Sequence, residues 1–196
     1  MKANRVPLAG CEFCYLATLM DRLSRRLVGW HLAECMTEDL VIPVLRAGIR
    51  ERQPAPGLIQ HTDRGGQYAS PRYRAILRRA GIRQSMSRAD NCYDNTFMES
   101  GFGTLQMELE MTEYQHQRVA HREISDYIAY DNLERKHSAL GDLSPHQFKR
   151  QHAHQKQAAG LSVKPTVPQS VNGGVVSAIG ASTSNRSPHS HAKTCR

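Results

Sequence analysis

Asp63 and Glu99 are the two acids of this chain whose settings suit metal-assisted phosphoryl chemistry. Asp63 closes the run Leu58-Ile59-Gln60-His61, which reads as a short strand, and Arg64, Gly65 and Gly66 follow it. In open α/β sheets, sites gather at the carboxyl ends of strands. The two glycines let the backbone turn tightly and leave the carboxylate open to a ligand. Glu99 lies in Asp94-Asn95-Thr96-Phe97-Met98-Glu99-Ser100, beside an apolar stripe of Met98, Phe102, Leu105 and Leu109 at helical spacing. It flanks that stripe, so a helix from about residue 95 to 111 can turn it toward the strand end. Thirty-five residues separate the two acids. Carboxylates so placed suit Mg²⁺ (or Mn²⁺), a hard cation that takes oxygen ligands and completes its shell with water and phosphate. Two such ions about 3.5–4 Å apart activate a nucleophile and stabilise the leaving oxygen in phosphoryl transfer. Taken singly, Asp63 is as well explained by capping a turn and Glu99 by facing solvent.

The charge around these acids points the same way. Between Asp63 and Asp90 stand seven arginines (Arg64, Arg72, Arg74, Arg78, Arg79, Arg83 and Arg88) and no acid. Several flank the apolar face of a helix over 71–80, so they can point outward. The arginine fork donates paired hydrogen bonds to phosphate, although a solvated helix surface would look the same. Lys+Arg number 26 against 18 Asp+Glu, a net charge of +8 with a pI near 9.5, which makes an anionic partner, and nucleic acid first, the natural expectation. The longest apolar stretch, Phe13 to Met20, is far short of the ~20 residues that cross a bilayer. Behind Met1-Lys2-Ala3-Asn4-Arg5 there is no apolar segment of the signal-peptide kind, and no membrane partner is expected. Five cysteines, an odd count, then predict reduced thiols and a cytoplasmic location. Cys11 and Cys14 form a lone C-x-x-C without the second pair a structural zinc needs.

The elements that must position the acids follow in a clear rhythm. Phe13 to Met20 reads as a strand apolar on both faces, and Arg26 to Leu32 as its hairpin partner across the turn Asp21-Arg22-Leu23-Ser24. Thr37, with Glu38 and Asp39 behind it, predicts a helix start; Ser70-Pro71 predicts another, ended by Gly81. A strand over 82–86, the helix bearing Glu99 and a helix over about 119–133 complete the order β-β-α-β-α-β-α-α, an α/β sheet with helices on its faces. From Gln151 onward there are five basic residues, no acid and no aromatic. Such a segment buries too little apolar surface to offset its ordering entropy. The expected division is therefore a core over 1–150 and a largely disordered basic tail over 151–196.

His-Thr-Asp-Arg-Gly-Gly-Gln-Tyr at 61–68, Asp-Asn-Cys-Tyr-Asp-Asn at 90–95, Met-Glu-Ser at 98–100 and Phe-Gly-Thr-Leu at 102–105 resemble the integrase-core motifs of DDE transposases. Tyr15 to Arg25 and Arg-Lys-His-Ser-Ala-Leu-Gly at 135–141 extend the likeness over about 6–148. The resemblance is to OrfB-type insertion-sequence transposases, relatives of retroviral integrase. It implies a ribonuclease-H-like mixed sheet flanked by helices, DNA as partner (transposon ends and target), homo-oligomers or assembly with full-length transposase, and metal-dependent phosphodiester cleavage and strand transfer. It assigns Asp63 and Glu99 as the second and third metal-binding acids, and Arg135 and His137 to a late basic motif. The first acid should precede Pro7-Leu8-Ala9-Gly10, near Lys2 and Ala3, and no acid occurs before Glu12. The resemblance thus implies an N-terminally truncated core, its opening strand largely missing and its catalysis impaired. The alternative is a catalytically inactive DNA-binding or multimer-poisoning fragment. Gly101 and Gln106 also depart from the family, which there favours an aromatic and a lysine.

Overall fold

The computed structural model describes residues 1–63, 65–87, 103–105, 107–108, 113–158 and 175–177, with positions 2, 11, 156–158 and 175–177 described by backbone alone. The strands are β1 (Lys2–Leu8), β2 (Glu12–Asp21), β3 (Leu27–Ala33), β4 (Ile59–Thr62), β5 (Arg83–Met86) and β6 (Val175–Ser177). The helices are α1 (Glu38–Arg52), α2 (Pro71–Arg79), α3 (Gln117–Leu133) and α4 (Pro145–Ala158). Residues 103–105 and 107–108 are helical as well, and the remainder of the helix expected over 95–111 lies outside the described residues. All six strands form one mixed sheet. β1, β3 and β6 run antiparallel to β2, whereas β4 runs parallel to β5 and β6.

β2 is the hub, buried continuously from Leu16 to Asp21, as its apolar run predicts. One flank pairs with β3, from Tyr15↔Ala33 to Met20↔Leu27. On the other flank β1 takes Glu12 to Thr18, and β6 takes Met20 and Asp21. The opening strand is therefore present, contrary to the sequence expectation: β1 pairs at all seven of its residues, from Lys2↔Thr18 to Leu8↔Glu12. Its polar letters disguise it. Met1 and Ala3 are buried in the apolar layer beneath α1 and α2, while Val6 and Leu8 enter the layer beneath α3. The boundary expected at residue 150 falls inside α4, and three tail residues enter the sheet as β6. Cys14 is free and buried, but Cys35 is disulfide-bonded, against the expectation of reduced thiols.

Two helix starts show how local chemistry sets these elements. Ser70 Oγ accepts the Tyr73 N–H at 3.2 Å, and Pro71 holds the first helical position. At α1, Thr37 stands at the cap position with no side-chain bond, and its carbonyl receives the Leu40 N–H instead. α1 packs on β3 and β2 through two glycines. A Cβ on Gly29 would stand 2.5 Å from the Val44 carbonyl oxygen, and one on Gly48 would meet Leu19 Cδ2. Only a bare Cα lets helix and strand backbones come this close.

Gly29→Ala should therefore lower the unfolding free energy by about 1–3 kcal/mol, the usual range for overpacking. Gly66→Ala, whose added carbon meets no atom within 4 Å among the described residues beyond its chain neighbours, should stay within about 0.5 kcal/mol of the parent. Urea denaturation followed by circular dichroism checks both.

Candidate functional site

β4 delivers Asp63. The strand lies between β5 and β6, with Gln60 and Thr62 buried, and the chain leaves the sheet directly after Thr62. Asp63 Oδ1 accepts the Gly65 N–H at 3.0 Å, so the side chain forms the turn it precedes. Buried Tyr68 anchors the far side of the turn, its N–H donating to the Gly65 carbonyl at 3.0 Å. Partial burial raises the Asp63 carboxyl above the usual range; the Gly65 N–H, the terminal ammonium of Met1 and His61 act in the opposite sense. Complete burial drives the Met1 amine well below its ordinary pKa, with Asp63 opposing that shift. His61 Nδ1 lies 3.0 Å from Ser85 Oγ and Nε2 lies 2.9 Å from Ser87 Oγ, so both ring nitrogens are engaged with β5 and the residue after it.

The ladder also locates the position opposite Asp63. Ser177 pairs with both Met20 on β2 and His61 on β4. Lys2 pairs with Thr18, two residues back along β2. Two residues onward from His61 along β4 is Asp63. The backbone of Lys2 thus falls on the row of Asp63, where a first metal-binding acid would be expected.

A divalent metal needs a cluster of oxygen donors that this neighbourhood lacks among the described residues. Asp63 supplies one carboxylate, and one of its oxygens already accepts the Gly65 N–H. Asn4 Nδ2, Thr18 Oγ1 and Thr62 Oγ1 are buried without a partner among the described residues, but a neutral amide nitrogen and two hydroxyls do not neutralise a divalent ion. Among the described residues no group of three His, Cys, Asp or Glu is placed to hold a metal. The donor set of the described residues does not fit a divalent metal on its own. Glu99, the other candidate, lies outside the described residues, as does Arg64.

Of the remaining candidate arginines, Arg72 reaches across from α2 to α1. Its Nη1 is 2.9 Å from Glu38 Oε1 and 3.1 Å from Asp39 Oδ1. This exposed pair fixes the arginine's direction more than it stabilises the fold. Arg74, Arg78 and Arg79 are exposed on the same helix, away from buried Tyr73 and Leu77.

Arg135 and His137 converge on a second site. α3 turns Ala120, Ile124, Ile128 and Asp131 inward, so an acid occupies the apolar stripe. Asp131 is buried, and desolvation lifts its pKa to about 6 despite Arg135. Arg135 Nη1 is 3.6 Å from Asp131 Oδ1, while Arg135 Nε and Nη2 grip Glu108 at 2.8–3.0 Å. The Tyr127 hydroxyl donates to Glu108 Oε2 at 2.9 Å. His137 Nε2 is 3.4 Å from Asp131 Oδ1, and burial lowers the imidazole pKa, with Arg135 adding to the effect. Tyr127, Asp131, Arg135, Lys136 and His137 line a cavity of about 320 Å³ that reaches Met20 and Leu27. Sequence reasoning does not single out Asp131 and Glu108, although the spacing of Asp131 from Ile124 and Ile128 carries the signal. Next to it, Asn132 accepts the Leu27 N–H at 2.9 Å and donates to the Leu27 carbonyl at 3.0 Å, docking α3 on the start of β3.

This arrangement, a mixed sheet with helices on both faces and an acid at the end of a central strand, is that of the ribonuclease-H-like fold. It is similar to a chain of the simian T-cell lymphotropic virus intasome in complex with PP2A regulatory subunit B56 gamma, with a TM-score of 0.62 at 14% identity, over 87% of this chain and 57% of that one. It is likewise similar to the HTLV-2 integrase catalytic core domain in complex with magnesium, with a TM-score of 0.57 at 12% identity, over 75% of this chain and 93% of that one. Residues 2–92 and 80–145 each match a family described as an integrase core domain. The transposase for insertion sequence element IS904 of Lactococcus lactis is 42% identical over 138 residues, covering 69% of this chain and 54% of the relative. Transposase InsF for insertion sequence IS3fB of Escherichia coli K12 is 40% identical over 139 residues, covering 70% and 48%. The chain belongs to the insertion-sequence transposases with an integrase core, and it spans about half the length of the curated relatives it matches. No helix among the described residues is long and apolar enough to cross a membrane.

The Asp131 site has a pH signature. An unfolded aspartate ionises near pH 3.9, whereas the folded group holds its proton to about pH 6. As pH rises through that window, ionising the buried acid costs stability, up to about 3 kcal/mol. Asp131→Asn should remove that contribution. Denaturant titrations at pH 4, 5, 6 and 7 should show the parent losing stability relative to the variant as pH rises.

Proposed function

We propose that this chain binds DNA, transposon ends and target, as the integrase core of an insertion-sequence transposase, and that as it stands it does not transfer strands. One observation carries the second half: the ladder register sets a lysine position, Lys2, on the row of Asp63. Metal-dependent phosphodiester transfer of the family kind rests on acids that neutralise two closely spaced divalent ions, whose mutual repulsion is severe in a site of low dielectric. Asp63 and Glu99 are the acids proposed to remain as ligands for Mg²⁺ or Mn²⁺. A lysine at the position of the first acid supplies no carboxylate to those ions. DNA binding does not depend on those acids. It falls in this reading to the exposed Arg74, Arg78 and Arg79, with Arg72 on the same helix, Arg135 and His137 at the α3 cavity, and Arg64, whose position lies outside the described residues. The setting is cytoplasmic, as homo-oligomers or in assembly with a full-length transposase.

Incubated with Mg²⁺ or Mn²⁺ and the DNA ends of its parent element, the chain should give no cleavage or joining; robust joining would overturn the proposal. Lys2→Asp should raise Mn²⁺ affinity at least tenfold by calorimetry, and Asp63→Asn should abolish that gain. DNA binding should persist without transfer, and this also favours a second reading, an inactive DNA-binding module that joins and blocks multimers of an intact transposase. Replacing Arg74, Arg78 and Arg79 together by Ala should weaken DNA binding. The slope of log affinity against log salt should shrink by about 0.9 for each phosphate that is no longer neutralised, as fluorescence anisotropy across a salt series would measure.

A further inference from the structure

β6 occupies a place that its surroundings in the sequence do not announce. Val175–Ser177 pair antiparallel with the end of β2 (Met20↔Ser177, Asp21↔Val176) and parallel with β4 (Ile59↔Val175, Gln60↔Val176, His61↔Ser177). β1 and β6 share one flank of β2 end to end: β1 pairs with Glu12 to Thr18 and β6 with Met20 and Asp21. β6 is thus a central strand, the only connection between the β1–β2–β3 and β4–β5 halves of the sheet among the described residues. Of its ladder partners, Met20, Asp21 and Gln60 are buried and Ile59 and His61 half-buried. An empty slot would leave the backbone of β4 and the end of β2 unpaired away from water, at about 1–3 kcal/mol for each unsatisfied group. Sixteen residues join Ala158 to Val175, enough to span up to roughly 50 Å when extended, so the tail has ample reach.

We infer that Val175–Ser177 is a self-donated strand, inserted by the tail into the slot between β2 and β4 to hold the strand that delivers Asp63. The mode is strand addition, in which main-chain hydrogen bonds supply the affinity. That is why the donor can sit in a tail whose composition would never build a core. The donor needs no apolar run, only extended residues with free N–H groups and a tether long enough to reach.

Two variants of the full chain test this. A Met20→Cys/Ser177→Cys pair joins directly opposed positions of an antiparallel ladder, where Cβ atoms stand about 4.5–5.5 Å apart, within reach of disulfide closure on slight adjustment. Mild oxidation should bridge the two within single chains in most molecules, identified as a cross-linked peptide by mass spectrometry. A Met20→Cys/Ser184→Cys control should give less than a tenth of that yield. Val176→Pro, which removes a ladder donor from a central strand, should raise amide hydrogen exchange in peptides spanning 58–63 at least tenfold, and Ser184→Pro should leave it unchanged. Equal bridging by the control pair, bridges formed only between two chains, or unaltered exchange in Val176→Pro would each overturn the inference. The cysteine pair reports even if the proline variant does not fold.

Discussion

A strand buried on both faces must give its backbone N–H and C=O groups to neighbours, because water cannot reach them. For β2 this requirement organises the sheet. Its flank toward β3 is satisfied by a short hairpin, the connection with the smallest loop-closure cost. On its other flank β1 pairs with Glu12 to Thr18, and the rungs at Met20 and Asp21 are met by β6. The ladder extends to Asp63: β6 pairs with β4, and β4 ends at the acid. The same constraint explains why Asp21, the last residue of β2, is buried yet well held. Its carboxylate accepts the Leu23 N–H and the Ser24 hydroxyl, closing the turn, with Arg52 of α1 3.3 Å away.

The two acidic centres differ in how burial is answered. Asp63 is half-buried at a strand end, with one N–H and the buried terminal amine of Met1 beside it. Asp131 is deep under a helix, with Arg135 and His137 close and Glu108 sharing the arginine. A buried ion pair offsets its desolvation only when hydrogen bonding is nearly complete. At Asp131 the distances are 3.4 and 3.6 Å, which is why its proton is held to about pH 6. The tight hydrogen bonds of Arg135 go to Glu108 instead. Arg135 is therefore held within a cluster of acids around a cavity, whereas Arg74, Arg78 and Arg79 of α2 are exposed.

Much of this is legible in the residues. The apolar run of β2, the hairpin turn, Ser70-Pro71 and the strand leading to Asp63 each carry their own local signal, and each element stands where that signal puts it. Local signals fail where a partner distant in the chain decides. β1 reads as polar because its apolar residues divide between two layers, which only the finished sheet supplies. β6 is three residues long, and nothing within it names β2 or β4. α4 is a different case, since its start is readable. Ser144 Oγ accepts the Gln147 N–H at 3.3 Å and Gln147 Oε1 accepts the Ser144 N–H at 3.0 Å, the reciprocal box that Ser-Pro-His-Gln announces. A tail boundary set at 150 by composition overlooks it. Asp131 escapes notice because acids on helices usually face solvent.

Asn132 gives the architecture one more property. A free strand edge invites pairing with another molecule, and proteins protect such edges by covering or plugging them. By bonding both the N–H and the carbonyl of Leu27, the Asn132 amide imitates the next strand at the point where β3 begins. The side of the sheet away from β6 is thereby closed to further growth at that rung. A fold that recruits one strand from its own tail on one flank thus turns away unwanted strands on the other, and so limits edge-to-edge aggregation.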